Sequence, residues 1–196
     1  MDEFKHDGCL SIFGDAYAAG GMVFPPNATV LEIGCAEADW MRPMKSLRPD
    51  LQITGVDWRR VGRDAGTVIH GDILVQAFAP ASFDVVVGIS SIEHIGLGHY
   101  SHDPLDVDGD VKCMALAGRW LKPGGWAYFD VPYGPEYQVY GTEYRRYDEA
   151  ALASRLIQEL TVAGRWWVDY TGFHTGIPPN PHAIQYVAVH AIKEKD

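Results

Sequence analysis

Acidic side chains accompany two short apolar runs of this sequence, at a spacing suited to binding a ligand that contains a nucleoside. The first run, Val30–Ile33, contains Glu32 and is followed by Gly34 and a turn of small residues; about twenty residues later a second run ends in Asp57. In a strand–turn–helix–strand unit, a carboxylate at the tip of the second strand can accept hydrogen bonds from both ribose hydroxyls. The pattern therefore predicts a nucleoside-binding site at the ends of two neighbouring strands.

A serine-rich segment that ends in Glu93 and His94 follows the β-branched run Phe83–Ile89. Ligands of open α/β sheets bind beyond the carboxyl ends of the strands, so this segment is predicted to face the ligand. Histidine titrates near neutral pH and is suited to general-base work. We therefore predict His94 as a catalytic base, Glu93 as the carboxylate that orients it and His99 as a substitute base. The alternative is that the glutamate–histidine pair has a structural role only.

The elements that must position these side chains alternate between strands and helices. Periodicity and turn residues predict strands over 29–33, 51–56, 67–70, 83–89, 126–131, 166–170 and 184–191, and helices over 10–19, 39–47, 108–121 and 148–160. This alternation predicts one α/β domain over residues 1–196, with a Rossmann-like, doubly wound and mainly parallel sheet of seven strands. Residues 1–27 form the predicted helical lead-in, and 90–110 and 133–147 form the predicted substrate-side loops.

Composition and charge argue against several classes of function. The 196 residues are 47% hydrophobic and carry a formal net charge of −10, which argues against tight binding of DNA or RNA polymers. The N-terminal segment lacks the features of a secretion signal, and no apolar run approaches the roughly 18 residues that span a membrane. The three cysteines are scattered and fit a reducing compartment. We therefore expect a cytoplasmic protein that acts on a small molecule, and the sequence leaves its oligomeric state open.

Five short motifs recur in the order and spacing of one enzyme superfamily. They are Glu32-x-Gly34, Asp57, Gly71-Asp72-Ile73, Phe83-Asp84 and Leu121-Lys122-Pro123-Gly124-Gly125. On these motifs the chain resembles the class I S-adenosylmethionine-dependent methyltransferases. It departs from their first motif because Ala36 and Ala38 stand where two further glycines are usual, and alanine adopts positive φ less easily. Its Ser-Ser-Ile-Glu-His loop, with the Gly-Leu-Gly-x-Tyr sequence after it, resembles one branch of that superfamily.

The resemblance implies that S-adenosylmethionine is the cofactor and that the carboxyl ends of the first strands bind it. It implies that Glu32 meets the cofactor's amino group, that Asp57 binds both ribose hydroxyls and that Asp72 binds the adenine amino group. Trp58 would pack on the adenine ring. The complete set of implied cofactor-binding residues is Glu32, Gly34, Cys35, Ala36, Asp57, Trp58, Asp72, Ile73, Ser90 and Ser91.

The resemblance also implies methyl transfer, and we predict methylation on oxygen of a small-molecule or sugar acceptor. The Asn/Asp-Pro-Pro-Tyr/Phe motif of amine-methylating relatives is absent after the fourth predicted strand. Exposed tyrosines and arginines are suited to stacking on a ring or a sugar and to binding a phosphate or carboxylate. The predicted acceptor-binding residues are Tyr100, Tyr133, Tyr137, Tyr140, Arg145 and Arg146.

Other functions compete with this prediction. The two arginines make a nucleotide, or another acceptor derived from nucleic acid, the second choice, and a non-catalytic cofactor-binding subunit also remains open. A nicotinamide-dependent oxidoreductase is disfavoured because alanines replace the glycines that admit a pyrophosphate. The acidic diamine pocket of a polyamine synthase is not evident.

The adjacent Glu93 and His94 also suggest a metal site. They resemble part of the magnesium site of the small-RNA 2′-O-methyltransferases and of the ubiquinone-pathway O-methyltransferases. Ser90 stands where those sites have a carboxylate, and the later histidine is missing, with His174 as its only nearby substitute. Because magnesium prefers several oxygen ligands, we predict no metal site.

Overall fold

The central element of the protein is an eight-stranded sheet with helices on both faces. The computed structural model describes residues 12–36, 39–59, 66–99, 104–178, 180 and 184–195. The strands are β1 (Thr29–Ile33), β2 (Gln52–Asp57), β3 (Thr67–His70), β4 (Phe83–Ile89), β5 (Leu121–Pro132), β6 (Gln138–Tyr140), β7 (Tyr144–Arg146), β8 (Thr161–Asp169), β9 (Gly172–His174) and β10 (Tyr186–Ile192). The helices are α1 (12–18), α2 (Met41–Leu47), α3 (Gly109–Trp120), α4 (Glu149–Ala151), a π-helix (Leu152–Ile157) that continues α4, and two 3₁₀ turns (Ile73–Val75 and Ile92–His94). Within these ranges, no helix is long and apolar enough to cross a membrane.

The strand order places the carboxyl ends of five parallel strands along one edge of the sheet. The order is β3-β2-β1-β4-β5-β10-β8-β9. The first five strands in this order pair in parallel, whereas β10, β8 and β9 are added through antiparallel pairs. The Rossmann-like, mainly parallel sheet in one domain is therefore confirmed. Within the described residues the sheet has eight strands, one more than predicted, because the short β9 folds back on β8 as a hairpin.

Side chains of the sheet alternate between two apolar layers. In β4, Val85 and Val87 belong to the layer that contains α1 and α2, whereas Val86 belongs to the layer that contains α3. β4 is therefore buried on both faces, which explains why its sequence is a nearly continuous β-branched run. α1 is the helix of the predicted lead-in, of which residues 1–11 lie outside the described residues.

Two of the sequence motifs meet at the amino-terminal edge of the sheet, away from the candidate site. Lys122 Nζ donates to Asp84 Oδ2 at 2.8 Å, and the same oxygen accepts hydrogen bonds from Thr29 N and Oγ1 at 2.8 Å. A Cβ on Gly125 would lie 2.8 Å from the carbonyl oxygen of Asp84. The Phe-Asp and Leu-Lys-Pro-Gly-Gly motifs therefore join the starts of β1, β4 and β5, and their role is structural.

Several local predictions differ from the structure. β5 and β8 each begin five residues before the predicted strands. The predicted helix over 148–160 is one α-helical turn followed by the π-helix, after which Gln158 adopts φ +49°. Asp148 caps its start by accepting a hydrogen bond from Ala151 N at 2.8 Å. The predicted loop 133–147 contains the hairpin β6–β7, a separate two-stranded sheet that lies against the 3₁₀ turn after β4.

Candidate functional site

The turn after β1 touches the segment that follows β4. Gly34 adopts φ +70°, and a Cβ at this position would lie 2.5 Å from Cβ of Ser91. Gly34 N donates to the carbonyl oxygen of Val56 at 2.8 Å, and Ser91 Oγ donates to that of Ile33 at 2.7 Å. Glycine is required here because any side chain would push the carboxyl ends of β1 and β4 apart.

Ala36 takes the left-handed backbone conformation that glycine usually provides in this motif. Its φ is +47°, and its amide donates to Asp57 Oδ2 at 2.7 Å. For a residue with a Cβ, this conformation costs about 1–2 kcal/mol, and a hydrogen bond to a buried carboxylate offsets a cost of that size. The turn therefore forms with alanine in place of glycine. Ala38 lies outside the described residues.

Asp57 at the end of β2 is buried, and both of its oxygens face Arg59. The amide of Arg59 donates to Oδ1 at 2.7 Å, its Nε donates to Oδ1 at 3.0 Å and its Nη2 donates to Oδ2 at 3.1 Å. The Arg59 side chain is 32% exposed, and Trp58 between the two residues is half-buried. A partly exposed guanidinium thus covers the carboxylate that was predicted to bind a ribose.

Glu32 is a buried carboxylate whose Oε2 atom has no hydrogen-bond partner among the described residues. Burial raises the pKa of Glu32 well above its ordinary value, and the charges of Asp57 and Asp39 raise it further. Cys35 is also buried, and burial followed by the charges of Glu32 and Asp57 raises the pKa of its thiol to about 12. The turn therefore holds a neutral thiol and an unsatisfied acceptor, so it is suited to receive a cationic hydrogen-bond donor.

Asp72 and Ile73 follow β3 at the same edge of the sheet. Asp72 Oδ1 accepts a hydrogen bond from Leu74 N at 2.8 Å and so caps the first 3₁₀ turn, while Ile73 is buried in the apolar layer below. Both residues therefore support the turn. Their contacts with an adenine stay predictions.

Ser90 at the end of β4 connects two buried carboxylates. It adopts φ +43°; its amide donates to Asp130 Oδ1 at 2.6 Å and its Oγ donates to Glu93 Oε1 at 2.9 Å. Asp130 is 0% exposed, and burial followed by the charge of Glu93 raises its pKa to about 8. Asp130 was missed from the sequence, although it follows an apolar run in the same way as Glu32 and Asp57 do.

The hairpin β6–β7 reaches the histidines of the loop. His94 Nδ1 hydrogen-bonds to the carbonyl oxygen of Glu143 in the hairpin turn. Because a carbonyl oxygen only accepts, Nδ1 carries the proton and Nε2, 3.7 Å from Glu93 Oε1, is the basic nitrogen. His99 Nδ1 lies 3.7 Å from Glu143 Oε2, and the two imidazole rings are 5.2 Å apart. The three predicted catalytic side chains are thus together, with Glu143 as an unpredicted neighbour.

The prediction that Arg145 binds an acceptor is wrong, because its guanidinium lies inside the protein. Nη1 donates to the carbonyl oxygens of Ile95 at 2.7 Å and of Glu93 at 3.3 Å. Nη2 donates to that of Asp106 at 3.4 Å, and Nε lies 3.6 Å from Asp110 Oδ1. Arg145 therefore clamps the hairpin to the loop after β4 and to the start of α3.

The other predicted acceptor-binding side chains belong to the hairpin or lie close to it in the sequence. Tyr140 and Tyr144 stack with their ring centroids 4.7 Å apart, and the Arg146 guanidinium lies 5.3 Å from the Tyr140 ring. Tyr133 and Tyr137 are half-buried. Tyr133 and Tyr137 pack against the apolar layer that contains α3. The contact of these side chains with an acceptor stays a prediction.

In the described part of the chain, no group of three or more His, Cys, Asp and Glu side chains is arranged to hold a metal ion. His174, the substitute ligand considered above, pairs through Nε2 with Asp169 Oδ1 at 2.9 Å on the β8–β9 hairpin. Tyr100 lies outside the described residues.

Comparison with protein families gives one match. A family model described as "Caenorhabditis protein of unknown function, DUF268" matches residues 74–168, just under half of the chain. No curated protein matches the chain. The matched family therefore gives no activity.

Comparison with solved structures is more informative about the fold. A Burkholderia thailandensis 1,6-didemethyltoxoflavin-N1-methyltransferase, with its substrate and S-adenosylhomocysteine bound, is 17% identical at a TM-score of 0.68, covering 99% of this chain and 80% of that chain. A chain from a complex that contains the Haloferax volcanii Trm112 methyltransferase activator is 16% identical at a TM-score of 0.70, and the match covers 100% of this chain and 93% of that chain. The [4+2]-cyclase SpnF is 15% identical at a TM-score of 0.69, covering 95% and 82%.

Several further matched structures are S-adenosylmethionine-dependent methyltransferases. Sequence identities this low show the fold and leave the reaction to be argued from the site, since one fold hosts many reactions. The glycine turn after β1, the acidic end of β2 and the strand order agree with that comparison. The chain has the fold of the class I S-adenosylmethionine-dependent methyltransferases.

Proposed function

We propose that the chain is an S-adenosylmethionine-dependent methyltransferase that methylates a hydroxyl oxygen of a small or carbohydrate-like acceptor. The buried, unpartnered Oε2 atom of Glu32 is the observation that carries this proposal. A buried acceptor left without a donor costs about 1–3 kcal/mol. The ammonium group of the cofactor's methionine portion is a cationic donor, and its binding favours the ionised form of Glu32.

The described residues fit this cofactor at three points. Glu32 offers an oxygen to the amino group, Asp57 offers two oxygens to two ribose hydroxyls once Arg59 moves aside, and Gly34 leaves the backbone of the turn open to close approach. The acidic side chains at the ends of β1 and β2 suit a positively charged ligand, because such a ligand favours their ionised forms. When bound, the cofactor supplies an electrophilic methyl group on a positively charged sulfur.

His94 is the side chain best suited to take the acceptor's proton. Its Nδ1 donates to the Glu143 carbonyl, so the proton of the neutral imidazole is on Nδ1, and Nε2 can accept the proton of the acceptor's hydroxyl group. The buried Glu93 carboxylate, 3.7 Å from Nε2, stabilises the imidazolium that results. His99, with its ring 5.2 Å away, is the substitute base.

The hairpin β6–β7 is suited to hold the acceptor. Glu143 and Arg145 anchor it to the His94 loop, and alignment of the acceptor with the methyl group can supply several kcal/mol of the barrier reduction. Since Arg145 is buried, only Arg146 of the two predicted arginines is left on the hairpin to meet an anion. This weakens the argument for a nucleotide acceptor.

Radiolabelled S-adenosylmethionine, offered with a panel of sugars, phenols and nucleotides, tests the proposal. Transfer of the label to a sugar or phenol supports it, and transfer to nucleotides alone supports the second choice of acceptor. Cofactor binding without transfer to any acceptor points to a non-catalytic subunit. A different reaction would fit that result too, because a cyclase shares the fold.

Histidine variants test the mechanism. His94→Ala should lose about 10²–10⁴-fold in turnover, the usual contribution of a general base, while its cofactor affinity stays unchanged. His174→Ala is the matched control, because His174 also pairs with a carboxylate but on the β8–β9 hairpin. Full turnover in both His94→Ala and His99→Ala would rule out a histidine base.

A further inference from the structure

Asp130 is a fully buried titratable side chain that the mechanism above does not use. It lies in β5, in register with Ile89 of β4 and Ala188 of β10. We propose that Asp130, acting with Glu93, distinguishes the positively charged sulfonium of S-adenosylmethionine from the neutral thioether of S-adenosylhomocysteine, by losing a proton when the charged ligand binds. This inference rests on the proposed function, since it assigns Asp130 a role toward the proposed cofactor.

The turn after β1, where we propose that the cofactor binds, lies two strands away from Asp130. Only β4 separates β5 from β1, and neighbouring strands are about 4.8 Å apart, so Asp130 lies roughly 10 Å from the turn after β1. Ser91 approaches that turn so closely that a Cβ on Gly34 would lie 2.5 Å from its own Cβ. The preceding residue, Ser90, donates its amide to Asp130 Oδ1 at 2.6 Å. Two consecutive serines therefore connect the cofactor turn to Asp130.

Ser90 is held between the two carboxylates in a backbone conformation that serine rarely adopts. With φ at +43°, its amide bonds to Asp130 and its Oγ bonds to Glu93 at 2.9 Å. Such strain persists only where the surrounding contacts over-determine it, and it is concentrated at functional sites. Ser90 thus binds the carboxylates of Asp130 and Glu93 at the same time.

The groups that face Asp130 make its charge responsive to a ligand. Tyr128 OH donates to Oδ2 at 3.1 Å and favours the ionised form, as does the Ser90 amide, whereas burial and the charge of Glu93 oppose it. Together they raise the pKa of Asp130 to about 8, so the carboxyl group is largely protonated at neutral pH. His94 Nε2 lies 3.7 Å from Glu93 Oε1, and Arg145 Nη1 donates to the backbone carbonyl of Glu93. Burial raises the pKa of Tyr147, and the charge of Glu93 raises it further.

A positively charged ligand and an ionised Asp130 stabilise each other, and this coupling is reciprocal. Binding of the sulfonium lowers the pKa of Asp130, and ionised Asp130 raises the affinity for the sulfonium. For unit charges roughly 10 Å apart at an effective dielectric constant near 20, the affinity should change by about three- to fifteenfold. The neutral thioether gains no comparable affinity, so the preference for the cofactor over its product should rise with pH.

Calorimetry tests whether the ligand preference depends on Asp130. S-Adenosylmethionine and S-adenosylhomocysteine are each titrated into the wild-type protein and into Asp130→Asn, at about pH 6.5 and about pH 9. Both proteins should show nearly the same preference at the lower pH, because Asp130 is then largely neutral. At the higher pH the wild type should prefer S-adenosylmethionine by about three- to fifteenfold more than the variant does. Titration of the ligands' own amino groups is common to both proteins and cancels in the comparison. Asp169→Asn, which neutralises a carboxylate on β8, should behave as the wild type.

Two further measurements decide the question even if Asp130→Asn does not fold. In the unliganded wild type, the NMR shift of the Ser90 amide should titrate with a midpoint near pH 8. Tyr128→Phe removes a donor to the ionised carboxylate and should move that midpoint upward. A Ser90 amide that does not titrate, or equal ligand preferences in wild type and Asp130→Asn at both pH values, would overturn the inference but leave the proposed function standing. Failure of both ligands to bind the wild type would overturn both.

Discussion

The guanidinium of Arg59 covers both carboxylate oxygens of Asp57, with Nε 3.0 Å from Oδ1 and Nη2 3.1 Å from Oδ2. The same two oxygens are the acceptors that a pair of ribose hydroxyls needs. A ligand that binds Asp57 in this way must therefore displace a side chain that is 32% exposed. The ion pair is thus a competitor of the proposed cofactor.

We expect Arg59→Ala to bind S-adenosylhomocysteine more tightly, because the ion pair no longer has to break. Partly exposed pairs contribute up to about 1 kcal/mol, so calorimetry should show a gain of about two- to fivefold. Arg48→Ala is the matched control, since Arg48 makes the same two-bonded pair with Asp50, at 2.9 and 2.8 Å, before the start of β2. Weaker binding by Arg59→Ala would contradict the competition and assign Arg59 to the ligand site.

Gly34→Ala should lower the free energy of unfolding by about 2–4 kcal/mol. The added Cβ would lie 2.5 Å from Cβ of Ser91, at a residue with φ +70°. Urea denaturation measures the change. In Gly118→Ala, where a Cβ meets nothing within 4 Å inside α3, stability should instead rise by about 0.5–1 kcal/mol. A Gly34→Ala protein as stable as the wild type would show that β1 and β4 do not meet so closely.

Arg145→Met should lower the free energy of unfolding by about 3–5 kcal/mol, because it leaves loop carbonyl groups without their buried donor. Arg146→Met, one residue further along the same strand, should change it by less than about 1 kcal/mol. Urea denaturation of the two variants, side by side, is the measurement. If Arg145→Met is fully stable but fails to turn over an acceptor, the structural role assigned to Arg145 is wrong.

Glu32→Gln should change how stability depends on pH. In the folded state burial, and then the charges of Asp57 and Asp39, raise the pKa of Glu32, so the folded protein keeps a proton that the unfolded chain releases. The free energy of unfolding contributed by Glu32 therefore falls as pH rises from the ordinary glutamate pKa toward the folded value. Glutamine removes this loss, so the variant should be more stable than wild type at about pH 8 and similar to it at about pH 4. Urea denaturation of both proteins between about pH 4 and about pH 8 measures the change. A stability difference between Glu32→Gln and the wild type that stays constant over this pH range would contradict the raised pKa.

The strands were predictable because local rules define them. β1, β3 and β4 begin and end at the predicted residues, since β-branched runs bounded by turn residues set their limits. The strands of the β6–β7 hairpin are three residues long each, too short to show an alternating pattern. The π-helix was predicted as an α-helix because its leucines keep the helical spacing.

The roles of single side chains depended on burial, which the sequence does not give directly. Glu32 and Asp57 were recognised because each lies at the end of a strand, and Asp130 obeys the same rule inside a longer apolar run. Arg145 and Arg146 look equivalent in the sequence. On β7 they point to opposite sides, as successive strand residues do, so Arg145 is buried and Arg146 remains partly exposed.

We propose that the acidic ends of β1 and β2 bind S-adenosylmethionine and its product. Calorimetric titration of S-adenosylhomocysteine into wild-type protein, Asp57→Asn and Asp50→Asn tests this binding site. We expect binding to the wild type, affinity about ten- to hundredfold weaker for Asp57→Asn, and unchanged affinity for Asp50→Asn, which lies before the start of β2. Undetectable binding to the wild type up to millimolar ligand, or equal affinity for wild type and Asp57→Asn, would show that these strand ends do not bind the cofactor.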